Sequence, residues 1–205
     1  MIVVIITILL GGAYFMLLPS EKVTLDTNNK IITIEDLLKD NFIESFEILN
    51  NPIRLKGILE ISQEEFRDIL YTVITKYNIE EFKRNETTLH DDFIKIKAPY
   101  RILNFIDTQY EVNIYPSIIG NNLHLKLKDV KIGKLKLPNS IVSAVLKSNM
   151  NTLPFEIEKN EIIVGSSYIE PLKIETIEVI KDKVILNIFV TATDIIEFIG
   201  EYNTK

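Results

Sequence analysis

The sequence predicts an α+β protein in which an N-terminal transmembrane helix precedes one domain, a long curved antiparallel sheet packed around one main helix with short helices beside it. Three observations carry that reading. Residues 1–18, MIVVIITILLGGAYFMLL, hold no charge. Residues 62–77 set apolar side chains at helical spacing behind a capping signal. From Phe93 onward apolar and polar residues alternate, the period of a strand with one covered face.

At about 1.5 Å per residue the first segment reaches roughly 27 Å as a helix, against a hydrocarbon core of about 30 Å, so it is just long enough to span. Pro19 ends it, and Ser20 to Asn29 is polar and turn-prone. The expected organisation is therefore a signal anchor over 1–18, a linker over 19–30 and an extracytoplasmic domain over 31–205. Leu17 to Lys22 offers no small-x-small cleavage pattern, so the anchor is expected to stay attached. Only Met1 precedes the apolar run, so flanking charge cannot set the orientation, and the outside placement rests on the ordinary signal-anchor layout. The competing reading is a buried core helix, which would have to be covered on every side.

Thr33-Ile34-Glu35-Asp36 resembles a capping box, with Leu37, Leu38, Phe42 and Ile43 following at helical spacing. Residues 46–61 alternate on either side of Asn50-Asn51-Pro52 and read as strand, turn, strand. Ser62-Gln63-Glu64-Glu65 is a regular capping box, and Phe66, Ile69, Leu70, Val73, Ile74 and Tyr77 form one stripe at 3.6-residue spacing behind it. Asn78 is the expected stop, and Glu80 to Asp92 reads as a charged loop.

Phe93 to Lys97, Tyr110 to Ile114 and Leu123 to Lys128 alternate strictly, and Ile119-Gly120-Asn121-Asn122 supplies the turn between the last two. The alternation slips by one residue at Asp129 and again at Gly133, which predicts two bulges or a sharp bend. Pro138 opens a helix over Ile141 to Met150. Strands are expected at 155–157, 162–164, 172–180 and 184–190, the last apolar on both faces, and a short helix at 194–202.

Composition narrows the function. The chain has no cysteine, which removes thiol catalysis, disulfides, cysteine-ligated zinc and a lipidated N-terminal cysteine. A net charge of −6 and a pI near 5.1 oppose a broad nucleic-acid surface, so no nucleic-acid partner is expected.

The apolar start closing in Leu17-Leu18-Pro19, the helix after Ile61-Ser62, and the stretch Val130-Lys131-Ile132-Gly133-Lys134-Leu135-Lys136-Leu137-Pro138 carry a resemblance. So do Leu153-Pro154, Ile162-Ile163-Val164 and Val179 to Leu186. These pieces resemble the YpmS family, membrane-anchored proteins of low-GC Gram-positive bacteria. The resemblance implies a single anchored domain outside the membrane and supplies no catalytic residues. More distantly, a curved sheet around a long helix is similar to tubular lipid-binding domains, a likeness of fold alone.

Candidate chemistry is sparse. His90-Asp91-Asp92 has no second cluster to complete a metal shell, and His124 falls on the polar side of its strand. Ser140 and Ser166-Ser167 lack a nucleophile-elbow setting, and no glycine-rich phosphate loop occurs. Glu64, Glu65, Asp91, Asp92, Glu156, Glu158 and Glu161 are plentiful carboxylates, but a glycosidase pair is defined by a separation in space. No catalytic residue, cofactor or metal is therefore assigned.

Two binding candidates stand. Phe66, Ile69, Leu70, Val73, Ile74 and Tyr77 would line an apolar lipid groove, the alternative being plain core. Lys126, Lys128, Lys131, Lys134 and Lys136 would meet anionic headgroups or an anionic envelope polymer, the alternative being a solvated strand face. The expected function is a non-enzymatic, single-pass membrane-anchored binding domain of the cell envelope that takes lipid or another amphiphile. The second reading is a protein–protein interaction module of an envelope complex, and a hydrolase of envelope polymers trails both.

Overall fold

A computed structural model describes residues 2–19, 21, 23–25, 28–33, 36–37, 47–50, 53–79, 82–103, 105–149, 155–170, 172–191 and 193. Among these residues the elements run α1 (Ile2–Leu17), β1 (Glu47–Asn50), β2 (Ile53–Ser62), α2 (Gln63–Lys76), β3 (Glu86–His90), β4 (Phe93–Ile102), β5 (Ile106–Ile119), β6 (Asn122–Ile132) and β7 (Leu135–Lys136). They continue with α3 (Asn139–Asn149), β8 (Glu156–Glu158), β9 (Glu161–Val164), a 3-10 turn (Ser166–Tyr168), β10 (Lys173–Ile180) and β11 (Lys183–Thr191).

The protein is mostly β-sheet. The strands form two antiparallel sheets where one long curved sheet was expected: one ordered β1-β2-β11-β10, the other β3-β4-β5-β6-β9-β8 with β7 added to β6. Their inner faces meet in one core built from Leu59 and Ile61, Leu89, Ile94 and Ile96, Val112, Leu127, Val179, Val184 and Ile188. Phe66, Ile69 and Leu70 of α2 pack against it, as does Val142 of α3. Alternation explains the second sheet well. In β3 and in β4 as far as Ala98 every second residue is buried, and Ile94 and Ile96 face Ile114 and Val112 across the ladder.

Turn chemistry sets the registers. Gly120 and Asn121 both take positive φ (57° and 69°), which matches the twist of a two-residue hairpin between Ile119 and Asn122. The slip at Asp129 is a bulge: Glu111 faces Lys131 while Asn113 faces Lys128, so β6 spends an extra residue there. The second slip, at Gly133, is the tight turn into β7. Pro99 and Pro116 sit inside strands, yet each lies where one neighbour has already run out. The β3 ladder stops at Lys97, and the β4 ladder stops at Ile114.

The capping box of α2 is complete, the Ser62 side chain accepting from the Glu65 N–H and Glu65 accepting from the Ser62 N–H at 2.7 Å. Thr33 and Asp36 exchange the same kind of bonds, but the helix expected behind them lies largely outside the described residues, as does the closing helix expected at 194–202.

The transmembrane anchor expected over 1–18 is corrected. α1 has 16 residues, about 24 Å at 1.5 Å per residue, and among the described residues no helix is long and apolar enough to cross a membrane. Leu17 is its last helical residue because the chain there is already fastened to the second sheet. With the anchor fall the claims built on it: the α+β fold class with a membrane span, the single-pass membrane localisation with an extracytoplasmic domain, the membrane as partner, and the anchored envelope-binding function.

Candidate functional site

The sequence-predicted stripe on α2 faces inward. Phe66, Ile69 and Leu70 are half-buried against the core, and Ile74 is buried. Tyr77 sets its ring against Phe155 in an edge-on contact, centroids 5.6 Å apart. Val73 alone of the six lies at the surface.

The five lysines are brought together in part. Lys126, Lys128 and, after the extra residue at the bulge, Lys131 share the outer face of the second sheet, and Lys136 pairs with Lys131 across β6 and β7. Acidic residues interleave with them. Lys131 bonds Glu111 at 3.0 Å and Lys136 bonds Asp129. That ammonium holds the Asp129 carboxyl below its ordinary range. Lys128 lies 3.8 Å above the Tyr115 ring. The same face carries the row His90, Phe93 and Tyr115, stacked at 4.8 and 5.4 Å. These rings spend their faces on one another and offer mainly edges outward. His124 pairs with Glu161 at 2.6 Å between β6 and β9. Among the described residues no group of three His, Asp or Glu side chains is placed to hold a metal ion.

Ahead of β1, residues 21, 23–25 and 28–32 trace a strap tied to α2 and to the β3–β4 pair. Glu21 pairs with Lys97 at 3.0 Å, and the Thr24 N–H donates to Glu86. Further on, the Lys30 N–H donates to Asp68 and the Ile32 N–H to Thr72, both on α2. Between the strap, α2 and β3 lies a recess of about 330 Å³ lined by Thr24, Leu25, Gln63, Arg67, Glu86, Thr87 and Thr88. It is as polar as it is apolar, and several of its polar groups already serve the fold: Gln63 accepts from the Leu89 N–H and Thr87 donates to Asn85.

The feature with the largest unmet physical demand is α1. Between Ile5 and Met16 every described side chain on it is exposed, Phe15 at 59 %. Its first-turn and last-turn positions carry no charge, and the segment is apolar on every side. Its C-terminal end is held by the second sheet. The Lys134 N–H donates to the Met16 carbonyl at 2.8 Å, and the Thr108 hydroxyl donates to the Leu17 carbonyl. These bonds satisfy carbonyls that a helix terminus leaves orphaned. The Lys134 ammonium lies 3.5 Å above the Phe15 ring and beside the negative end of the helix dipole. Gly133 makes the approach possible: its φ is +59°, and a Cβ there would collide with the Met16 and Leu17 carbonyls.

Other uncovered apolar side chains stand on the elements that hold this root and on those that follow them in the chain. Tyr100 stands opposite Thr108 on the β4–β5 hairpin, whose tip exposes Leu103 (75 %) and Phe105 (72 %). Leu135 follows the turn that binds α1, and Ile141 and Val145 are exposed on α3 directly after it. Sequence reasoning missed this collar, although Leu103 and Phe105 flanking a hairpin tip, where Gly, Asn or Asp is usual, was a readable signal. Comparison with protein families, with curated proteins and with solved structures finds no significant match to this chain.

Proposed function

We propose that the chain is a protein-docking module, with no catalytic residue assigned to it, and that α1 with the collar at its root is the docking surface. The observation that supports this most is an uncharged, apolar helix whose described side chains from Ile5 to Met16 stand exposed, with its bonds to the second sheet made at its last turn. Such a helix is stable when something surrounds it, and large uncovered apolar surface on a folded protein marks an interaction site. Helix-in-groove recognition is the mode that suits it, with Ile5, Ile6, Phe15 and Met16 as anchors. The single-domain organisation implied by the resemblance to the YpmS family is compatible with this reading; its membrane anchor is not carried over.

A photo-cross-linking amino acid at Phe15, introduced in the cells that make the protein, tests the reading. Irradiation is expected to give a discrete protein–protein adduct, and Ile6→Asp is expected to cut its yield at least tenfold. Labelling of lipid alone, or a yield untouched by Ile6→Asp, would overturn it.

A further inference from the structure

Resting on that docking reading, we infer that the occupant of α1 is a second copy of this chain, its own α1 lying antiparallel alongside. The argument starts from area. A helix of 16 residues is about 24 Å long and about 10 Å across, so its side measures roughly 750 Å². One neighbouring helix covers about half of that. The rest needs a second apolar body near the tip, and an antiparallel pair supplies one. Full overlap of residues 2–17 sets Ile6 beside Ala13 of the second copy, two exposed positions two turns apart on one face of α1, so the tip of each helix arrives at the root of the other. That root is where Tyr100, Leu103 and Phe105 stand exposed. These three rings and side chains add on the order of 300 Å². The surface covered per copy then approaches the roughly 800 Å² of a standard interface.

The hairpin tip is shaped for such a contact. Leu103 adopts φ +51°, a left-handed conformation that a bulky residue rarely holds, and the strain turns its side chain into solvent next to Phe105. The Arg101–Asp107 ion pair at 2.6 Å clamps the two strands just behind the tip. Charge permits the pairing as well. The body is acidic overall, but α1 is uncharged, and the ammonium of Lys134 is folded onto Phe15 of its own chain. A two-fold arrangement also closes on itself, because each copy uses the same patch.

The chain has no cysteine, so introduced thiols report cleanly. Full-length chains carrying Ile6→Cys and Ala13→Cys, mixed and oxidised, are expected to give disulfide-linked dimers joining one of each, with Ile6→Cys alone giving at least tenfold fewer. Light scattering of the unmodified full chain is expected to give twice the monomer mass. The double variant Leu103→Gly, Phe105→Ser is expected to weaken the dimer at least tenfold while its melting temperature at high dilution does not fall. Efficient self-linking of Ile6→Cys means a parallel pair and overturns the inference. So does a monomeric mass with no linkage, or transfer of the chain from dimers onto vesicles of phosphatidylcholine and phosphatidylglycerol. If the Phe15 adduct in cells is then heterologous, the docking reading survives without the second copy; if no protein adduct forms, both fall.

Discussion

α1 and α2 are close in length, 16 and 14 residues, and opposite in their relation to the rest of the chain. α2 begins with a complete capping box, carries Glu64 and Glu65 in its first turn and Lys76 in its last, and lays one stripe on the sheets. α1 has no charge at either end and no stripe, and the contacts described above between it and the second sheet fall at Phe15, Met16 and Leu17. The difference teaches how to read periodicity. A stripe records which side of a helix its own chain will cover, and an apolar run without a stripe records a demand that its own chain does not meet.

The largest test of that contrast removes equal apolar volume from each helix. Ile74→Ala deletes a buried side chain of α2 and is expected to cost about 2–5 kcal/mol, read as a lower urea midpoint. Ile5→Ala in α1 is expected to shift the unfolding of the dispersed chain by no more than about 0.5 kcal/mol. A similar cost for both would mean that α1 is covered by its own chain, and the contrast would fail.

A smaller effect sharpens the boundary between the two regions. Gly133→Ala places a Cβ into the Met16 and Leu17 carbonyls at φ +59°, at a cost of roughly 1–3 kcal/mol. The relief available is to let the root of α1 go. Hydrogen exchange is expected to show faster exchange at the Lys134 amide, which bonds Met16, and unchanged exchange across α2. Protection lost equally in both helices would mean that α1 is part of the cooperative core.

Much of the fold was legible wherever local chemistry decides it. Ser62 with Glu65, Gly120 with Asn121, and the parity slip at Asp129 each act within a few residues, and each forms the cap, turn or bulge that its residue types favour. The division into two sheets was not legible, because the β2–β11 pairing joins Ser62 to Lys183 across more than a hundred residues, and alternation is silent on which strands meet. The anchor was misread for a related reason. Hydropathy counts Leu17 and Leu18 with the helix, whereas the bonds from Lys134 and Thr108 end it at Leu17. The strap was read as a linker because three of its ties are backbone N–H groups donating to Glu86, Asp68 and Thr72, and a backbone donor leaves no mark in the residue types of the donating segment. The docking collar draws on β4, β5, β7 and α3 and exists only once the second sheet is assembled.

The smallest effect concerns the strap that joins the two helices, and acid is the means to reach it. Glu21 sits nearest α1, and its bond to Lys97 holds its carboxyl below the ordinary value of 4.5; the same bond raises the Lys97 ammonium above 10.5. A depressed carboxyl contributes stability that is present above the unfolded pKa and is lost as pH falls through the folded one. A raised ammonium contributes below its unfolded pKa and loses that contribution as pH rises through the folded one. The pair therefore contributes in full between pH 4.5 and 10.5 and stays ionised somewhat beyond both values, and acid opens it at the α1 end of the strap once the pH falls through the lowered Glu21 carboxyl. Because Glu21 is exposed, solvent screens the pair and the change in overall stability is expected to be slight. Carboxyl and ammonium NMR shifts are expected to show Glu21 titrating low together with a response at Lys97, and Glu21→Gln is expected to abolish that response while the urea midpoint at neutral pH stays nearly constant. A Lys97 signal that moves with acid in Glu21→Gln as it does in the parent would detach the strap from this ion pair, leaving its hold on α2 through Asp68 and Thr72 as the tie between the regions.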